Sequence, residues 1–108
     1  MSWTITFFDS RVEAGLLKMP AGFVARFIRY AERMEIYGPD LGMPHTRAMG
    51  GGLFELRLKG PEGIGRVFYC TLSGQRIMML HHFAKKTRKT PAKDLDLARK
   101  RLKEVKDE

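Results

Sequence analysis

The sequence lacks the features that disulfide-linked, membrane-spanning and secreted proteins need. It has one cysteine, Cys70, so no disulfide can form within the chain, and its apolar neighbours favour a small buried side chain over a nucleophile. No apolar run approaches the roughly 20 residues of a membrane span, and residues 1–11 lack the charged start and the cleavage site of a secretory signal. We therefore predict a cytoplasmic protein with no membrane partner.

Grouped metal ligands and paired carboxylates are scarce as well. His81 and His82 are adjacent in an apolar segment, so a strand would turn their side chains to opposite faces, and His45 is distant in the sequence. Glu55 is the only acid in the predicted central strands before their turn, which leaves glycosidase or aspartyl chemistry without a second carboxylate. The sequence thus predicts no metal site and no cofactor.

Positive charge, by contrast, is in excess and unevenly placed. Residues 1–41 contain five basic and five acidic residues, so the whole net charge of +8 lies after residue 41. Clustered cations favour a polyanionic partner such as a nucleic acid, because binding releases the counterions condensed on the phosphates. The alternative is a solvated basic face that only aids solubility.

The length and the apolar patterns indicate the fold class. At 108 residues the chain fits a single domain spanning residues 1–108. Alternating or continuous apolar runs predict strands, and apolar spacings of three and four predict helices. The predicted strands are 3–8, 53–59, 64–72 and 77–83, and the predicted helices follow Ser10, span 21–36 and follow Thr90. The prediction is an α+β fold: an antiparallel sheet of four to five strands, with two N-terminal helices on one face and a C-terminal helix beside it.

Two details of this pattern concern turns and caps. Ser10 and Glu13 fit a capping box at the start of the first helix. Residues 42–52 are expected to form a loop that ends in three glycines. A glycine run can cradle a phosphate, but this spacing matches neither the P-loop nor the dinucleotide pattern, so a flexible bend is favoured. Arg47 in this loop is predicted to contact a backbone phosphate.

Cations concentrate in and after the predicted central strands. An unpaired arginine in an apolar strand is costly, so Arg66 is expected either to pair with Glu55 or to face a ligand at the strand end. Arginine holds two phosphate oxygens at once, which suits stabilisation of the phosphorane formed when a 2′-hydroxyl attacks its own phosphate. His81 or His82 is a candidate proton carrier for that reaction, although each is also typical of a structural histidine.

Three segments, GLFELR, GRVFY and MLHHFAKKTRKTP, resemble the RelE/ParE toxin superfamily, and specifically its HigB-like, phage-derived branch. The segment 80–91 is similar to that branch's LHxFxKKTxKTP signature. The resemblance implies a type II toxin–antitoxin toxin that cleaves mRNA in the ribosomal A site without a metal, with a helix-turn-helix antitoxin as its partner. By matching motif, the resemblance places the catalytic role on Arg57, Arg66 and Lys86, with Lys85 and His81 as second-rank candidates. We place His81 in the predicted catalytic set. The predicted RNA-binding residues are Arg47, Lys59, His82, Lys85, Arg88 and Lys89.

Two other functions remain open at this point. The same superfamily contains DNA gyrase inhibitors of the ParE kind, and a non-catalytic nucleic-acid-binding module would carry similar charge. Nothing after Phe83 is aromatic, so the base-stacking aromatic that several relatives have near the C-terminus has no counterpart. For the nuclease we expect the guanidinium groups of Arg57 and Arg66 to converge near a rim formed by Lys85 and Lys86. At such a rim, Arg66→Ala would leave folding intact.

Overall fold

In a computed structural model that describes residues 2–85 and 91–106, the chain forms one five-stranded sheet and three helices. The elements are β1 (Thr4–Phe7), α1 (Ser10–Leu17), α2 (Ala21–Tyr37), β2 (Thr46–Gly50), β3 (Leu53–Gly60), β4 (Gly63–Leu72), β5 (Arg76–Lys85) and α3 (Ala92–Lys106). The strand order is β1-β5-β4-β3-β2. Lys86, Arg88, Lys89 and Thr90, on which several sequence predictions fall, lie outside the described residues.

The α+β prediction is confirmed, with one correction to the pairing. Strands β3 to β5 form the expected antiparallel meander, because short turns connect them, and β2 adds one more antiparallel strand to it. Strand β1 instead pairs in parallel with β5. Two helices separate β1 from the meander, so the chain has room to cross over the sheet before the last strand returns beside the first.

The predicted loop at 42–52 contains the fifth strand. Strand β2 is a short edge strand, and only Thr46 among its residues is buried, so it lacks the apolar alternation that indicates a strand. Gly50 at the end of β2 and the next two glycines have positive φ angles of 91°, 65° and 88°, which glycine adopts without a steric penalty. Arg99 of α3 donates hydrogen bonds to the carbonyls of Met49 and Gly50 and so fixes this turn.

The two faces of the sheet carry different helices. Helices α1 and α2 cover one face through Leu16, Phe23 and Phe27, which pack on Val67 and Tyr69. Helix α3 covers part of the opposite face through Ala98 and Leu102, which pack on residues that alternate with the first set along the strands. The N-terminal helices thus share a face, as predicted, while the C-terminal helix lies across the sheet from them.

The start of α1 corrects a smaller prediction. The Asp9 carboxylate accepts a hydrogen bond from the Val12 N–H at 2.9 Å, so Asp9 is the N-cap and Ser10 is the first residue of the helix. Aspartate and serine cap helices about equally well, so the sequence alone did not fix the choice between neighbours. Within residues 2–85 and 91–106, no helix has the length and apolar content needed to cross a membrane.

Candidate active site

Arg57 and Arg66 are direct cross-strand partners on β3 and β4. Alternation along β3 places Glu55, Arg57 and Lys59 on the face that α3 covers only in part. Arg47 on β2 is the cross-strand partner of Glu55 and faces the same way. The two arginines therefore lie on neighbouring strands, as predicted, and the structure adds Arg47 to the group. The predicted rim includes Lys86, which lies outside the described residues.

Glu55 is the centre of this group. Its side chain is fully buried and accepts a hydrogen bond through Oε2 from an Arg66 terminal nitrogen at 2.9 Å. Its other oxygen, Oε1, lies 3.5 Å from a terminal nitrogen of Arg47 and 4.0 Å from Nε of Arg57. Three guanidinium groups thus surround one carboxylate, and we call Arg47, Glu55, Arg57 and Arg66 the arginine cluster.

Arg66 pairs with Glu55, the first of its two expected alternatives, but it does not lie at a rim. Its side chain is only 1% exposed. Strand β4 lies between β3 and β5, and the cross-strand partners of Arg66 are Arg57 on one side and Phe83 on the other. Neighbours on both sides remove solvent from this position, so the predicted rim position of Arg66 is wrong. The expectation that Arg66→Ala leaves folding intact loses its basis, because it rested on that position.

Arg57 and Arg47 are the members of the cluster that solvent reaches. Their side chains are 24% and 44% exposed, respectively. Among the described residues, neither Glu55 Oε1 nor Arg57 Nε has a hydrogen-bond partner. One carboxylate cannot neutralise three guanidinium groups, so the cluster presents net positive charge to a partner from solvent, and that charge is held in place by a buried anchor.

A row of aromatic side chains leads along the same face from the cluster to His81. The ring of Phe83 stacks on the His81 ring, with centroids 5.8 Å apart, and also contacts the Phe68 ring at 5.4 Å. His81 Nε2 lies 2.7 Å from Oδ1 of Asp94, in the first turn of α3. Asp94 orients the His81 imidazole, and Phe83 separates His81 from Arg66.

His82 lies on the opposite face, as predicted for adjacent strand residues. It packs on Gly15 of α1 so closely that a Cβ at position 15 would come within 2.5 Å of His82 Nε2. Burial lowers the pKa of His82, and the neighbouring charges of His81 and Arg101 lower it further. His82 therefore favours its neutral form in the folded protein, and it is remote from the face that carries the arginine cluster.

We expect the lowered pKa of His82 to make the fold acid-sensitive. The unfolded chain binds a proton at this residue more readily than the folded chain, so stability is retained above the unfolded pKa of about 6.5 and declines as the pH falls below it. Urea unfolding of the wild type and His82→Gln, measured from pH 7.5 to 5, should show a shallower decline in the variant. Equal pH slopes would contradict this account of His82.

The other residues predicted to bind RNA or to act in catalysis lie on β3, at the end of β5 or after it. Lys59 is exposed on β3, two residues beyond Arg57 on the same face. Lys85 is the last residue of β5, with Ile64 as its cross-strand partner. Lys86, Arg88 and Lys89 lie outside the described residues.

Sequence analysis missed three residues near the cluster: Asp94, Tyr30 and His45. Asp94 contacts His81 only because α3 packs back on the sheet, 13 residues along the chain. Tyr30 and His45 have ring centroids 4.9 Å apart at the edge of β3, although 15 residues separate them in the sequence. The apolar stripe of α3 predicted that this helix packs on the sheet, which is an indirect signal that Asp94 lies near it. No pattern or spacing in the sequence indicated the contact between Tyr30 and His45.

Comparisons with known proteins show the family and the fold of the chain. The model of the family described as Phage derived protein Gp49-like (DUF891) matches residues 14–103. Comparison with curated protein sequences gave no significant match. Among solved structures, the chain is similar to a chain of the archaeal RelE-RelB complex from Pyrococcus horikoshii OT3, at 18% sequence identity and a TM-score of 0.54, over 82% of this chain and 100% of that one. The RelE-like fold predicted from the sequence is thereby confirmed. The chain belongs to the Gp49-like family of phage-derived proteins, a RelE/HigB-like family of type II toxins.

Proposed function

We propose that this protein is the toxin of a type II toxin–antitoxin pair and acts in the cytoplasm as a metal-independent endoribonuclease that cleaves mRNA in the ribosomal A site. The observation that carries the proposal is the arginine cluster. Three guanidinium groups lie around the buried Glu55 carboxylate on a partly uncovered sheet face. Such an arrangement suits an anion that gains charge during reaction, because preorganised donors need no reorganisation as the charge develops.

We propose different tasks for the three arginines of the cluster. Arg57 and Arg47 are exposed enough to contact phosphate oxygens, whereas Arg66 is buried against Glu55. In the proposed reaction, a 2′-hydroxyl attacks the adjacent phosphorus, and the five-coordinate phosphorane is stabilised by Arg57 with Arg47. Arg66 is a positioning residue, since it holds the carboxylate that in turn orients the two exposed arginines.

The reaction also needs a proton acceptor for the 2′-hydroxyl and a donor for the leaving 5′-oxygen. His81 is the candidate for one of these tasks, because its ring is held by Asp94 at 2.7 Å and by the stacked Phe83. We propose Lys86 as an additional cation for the leaving group, and Lys59, His82, Lys85, Arg88 and Lys89 as sequence-based candidates for RNA contact. The position of His82 on the opposite face makes it the weakest member of that set.

The proposed partners are the mRNA on the ribosome and a cognate antitoxin. The similar archaeal chain comes from a structure described as a RelE-RelB complex. For the present chain we propose a helix-turn-helix antitoxin with a segment that blocks the arginine cluster. An acidic segment would complement the net positive charge of the arginine cluster.

The test uses purified protein, ribosomes programmed with a defined mRNA, and mapping of new 5′ ends. We expect cleavage at the A-site codon on ribosomes and little cleavage of the same mRNA free in solution. A parallel assay measures DNA supercoiling by gyrase. If the protein blocks supercoiling and cuts no mRNA, it is a ParE-like gyrase inhibitor. Salt-dependent RNA binding with neither activity would indicate a non-catalytic nucleic-acid-binding module.

A further inference from the structure

A pocket of about 280 Å³ adjoins the arginine cluster at the edge of the sheet. Its lining residues are Tyr30, Pro44, His45, Arg57 and Lys59. The pocket forms where β2 stops covering β3. The last cross-strand pair is Thr46 with Leu56, and the next contact is a hydrogen bond from the Arg57 N–H to the His45 carbonyl at 2.8 Å. Beyond this point α2 and the edge of β3 enclose the pocket.

The lining combines flat apolar surfaces with cations. The Tyr30 and His45 rings contact each other with centroids 4.9 Å apart and planes inclined by 44°, and Pro44 adds a further apolar surface. Arg57 and Lys59 supply positive charge, and no acidic residue belongs to the lining among the described residues. The volume greatly exceeds the share of about 30 Å³ that one water occupies. A flat ring that carries a negatively charged substituent fits this chemistry.

The loop that forms one wall of the pocket is held in place by hydrogen bonds of two buried side chains, Thr46 and Tyr69. The Thr46 hydroxyl, which is almost fully buried, accepts from the N–H groups of Leu41 and Gly42 and donates to the Asp40 carboxylate. The Tyr69 hydroxyl donates to the Pro39 carbonyl at 2.6 Å. Because these contacts fix the loop without a ligand, the pocket is preformed, and a ligand needs little ordering of the protein to bind.

We propose that this pocket binds a nucleobase of the RNA, on the nucleotide whose phosphate lies at Arg57. This inference rests on the proposed function, since it names how the same site holds its substrate. Arg57 connects the two regions, because it lines the pocket and lies 4.0 Å from the Glu55 carboxylate in the arginine cluster. A base stacked against Tyr30 and His45 keeps the attached phosphate beside Arg57, so the pocket positions the RNA for attack.

The proposal is tested by binding, independently of cleavage. The probe is a tetraribonucleotide with 2′-O-methyl groups, which block self-attack, together with four versions that each have one abasic position. We expect one abasic position to weaken binding to the wild type by about 5- to 150-fold, the range for loss of one stacked base. Tyr30→Ala should weaken binding of the intact probe similarly and should show no further loss with that abasic probe.

Two variants serve as controls, and a third is a second test of the pocket. Tyr30→Phe keeps the ring and should bind like the wild type. Tyr37→Ala removes an exposed tyrosine at the far end of α2 and should also have no effect on binding. Because Tyr30 also packs on the core, His45→Ala provides a second pocket variant in case Tyr30→Ala is unstable.

The outcomes separate this inference from the proposed function. If every abasic probe binds the wild type as the intact probe does, or if Tyr30→Ala and His45→Ala bind normally, the nucleobase pocket is wrong even where ribosomal cleavage occurs. If one abasic position weakens binding to the wild type but not to Tyr30→Ala, and ribosomes show no cleavage, the pocket stands and the nuclease proposal fails. If the probe leaves the His45 ring signals unshifted in NMR spectra while an acidic antitoxin peptide shifts them, the pocket binds protein and the inference is overturned.

Discussion

Arg66→Ala should destabilise the protein by about 3 kcal/mol, the lower end of the range for removing one partner of a buried ion pair. The arginine is 1% exposed, and its removal leaves the Glu55 carboxylate fully buried. The lower end applies because Arg47 remains 3.5 Å from that carboxylate and compensates part of its charge. Urea unfolding measures the loss as a lower midpoint with an unchanged slope.

A double variant shows whether the ion pair causes this loss. Glu55→Met combined with Arg66→Met replaces both charges with apolar side chains of similar length, and such replacements are often close to neutral in stability. We therefore expect the double variant to be more stable than Arg66→Ala. If Arg66→Ala unfolds at the wild-type urea concentration, the buried pair contributes nothing to stability, and Arg66 does not hold the Glu55 carboxylate as described here.

The arrangement of the central strands followed from local patterns. Alternation over residues 53–59 placed Glu55, Arg57 and Lys59 on one face, and the glycine–proline turn before β4 limited the register. That is why the neighbouring positions of Arg57 and Arg66 were predictable. The parallel position of β1 was not predictable in the same way, because the pairing of strands that are distant in sequence depends on how the helices between them pack.

The burial of Arg66 and the pocket depended on tertiary structure. The sequence left two alternatives for Arg66, pairing with Glu55 or facing a ligand, and its charge suggested a rim. The burial of Arg66 depends on its neighbours on both sides of β4, and these are residues of the flanking strands β3 and β5. Likewise, Tyr30 was one unremarked residue of the predicted helix 21–36, and His45 belonged to the predicted loop 42–52. Their contact exists only because α2 packs over the edge of β3.

Arg57→Ala should reduce cleavage by about 10²- to 10³-fold, the loss typical of removing one preorganised charge donor. Its side chain is partly exposed, and after its removal Glu55 still pairs with Arg66 at 2.9 Å and lies near Arg47. Stability should therefore fall by about 1 kcal/mol or less. Arg57→Lys keeps the charge but loses the planar fork, so its rate should lie between those of the wild type and Arg57→Ala.

Arg33→Ala is the matched control for Arg57→Ala. It removes the same charge from an exposed position on α2, which packs on the opposite face of the sheet. A general effect of net charge on ribosome affinity would slow both variants equally. If Arg57 takes part in the reaction, only Arg57→Ala is slow, and the difference in rate remains when the protein is in excess over ribosomes.

The single-turnover rate of A-site mRNA cleavage by Arg57→Ala, relative to Arg33→Ala at saturating protein, tests the arginine cluster most directly. The account predicts that Arg57→Ala is about 100-fold or more slower while both variants unfold at similar urea concentrations. Equal cleavage rates for the two folded variants would contradict it, because Arg57, the arginine proposed to stabilise the phosphorane, would then have no part in the reaction.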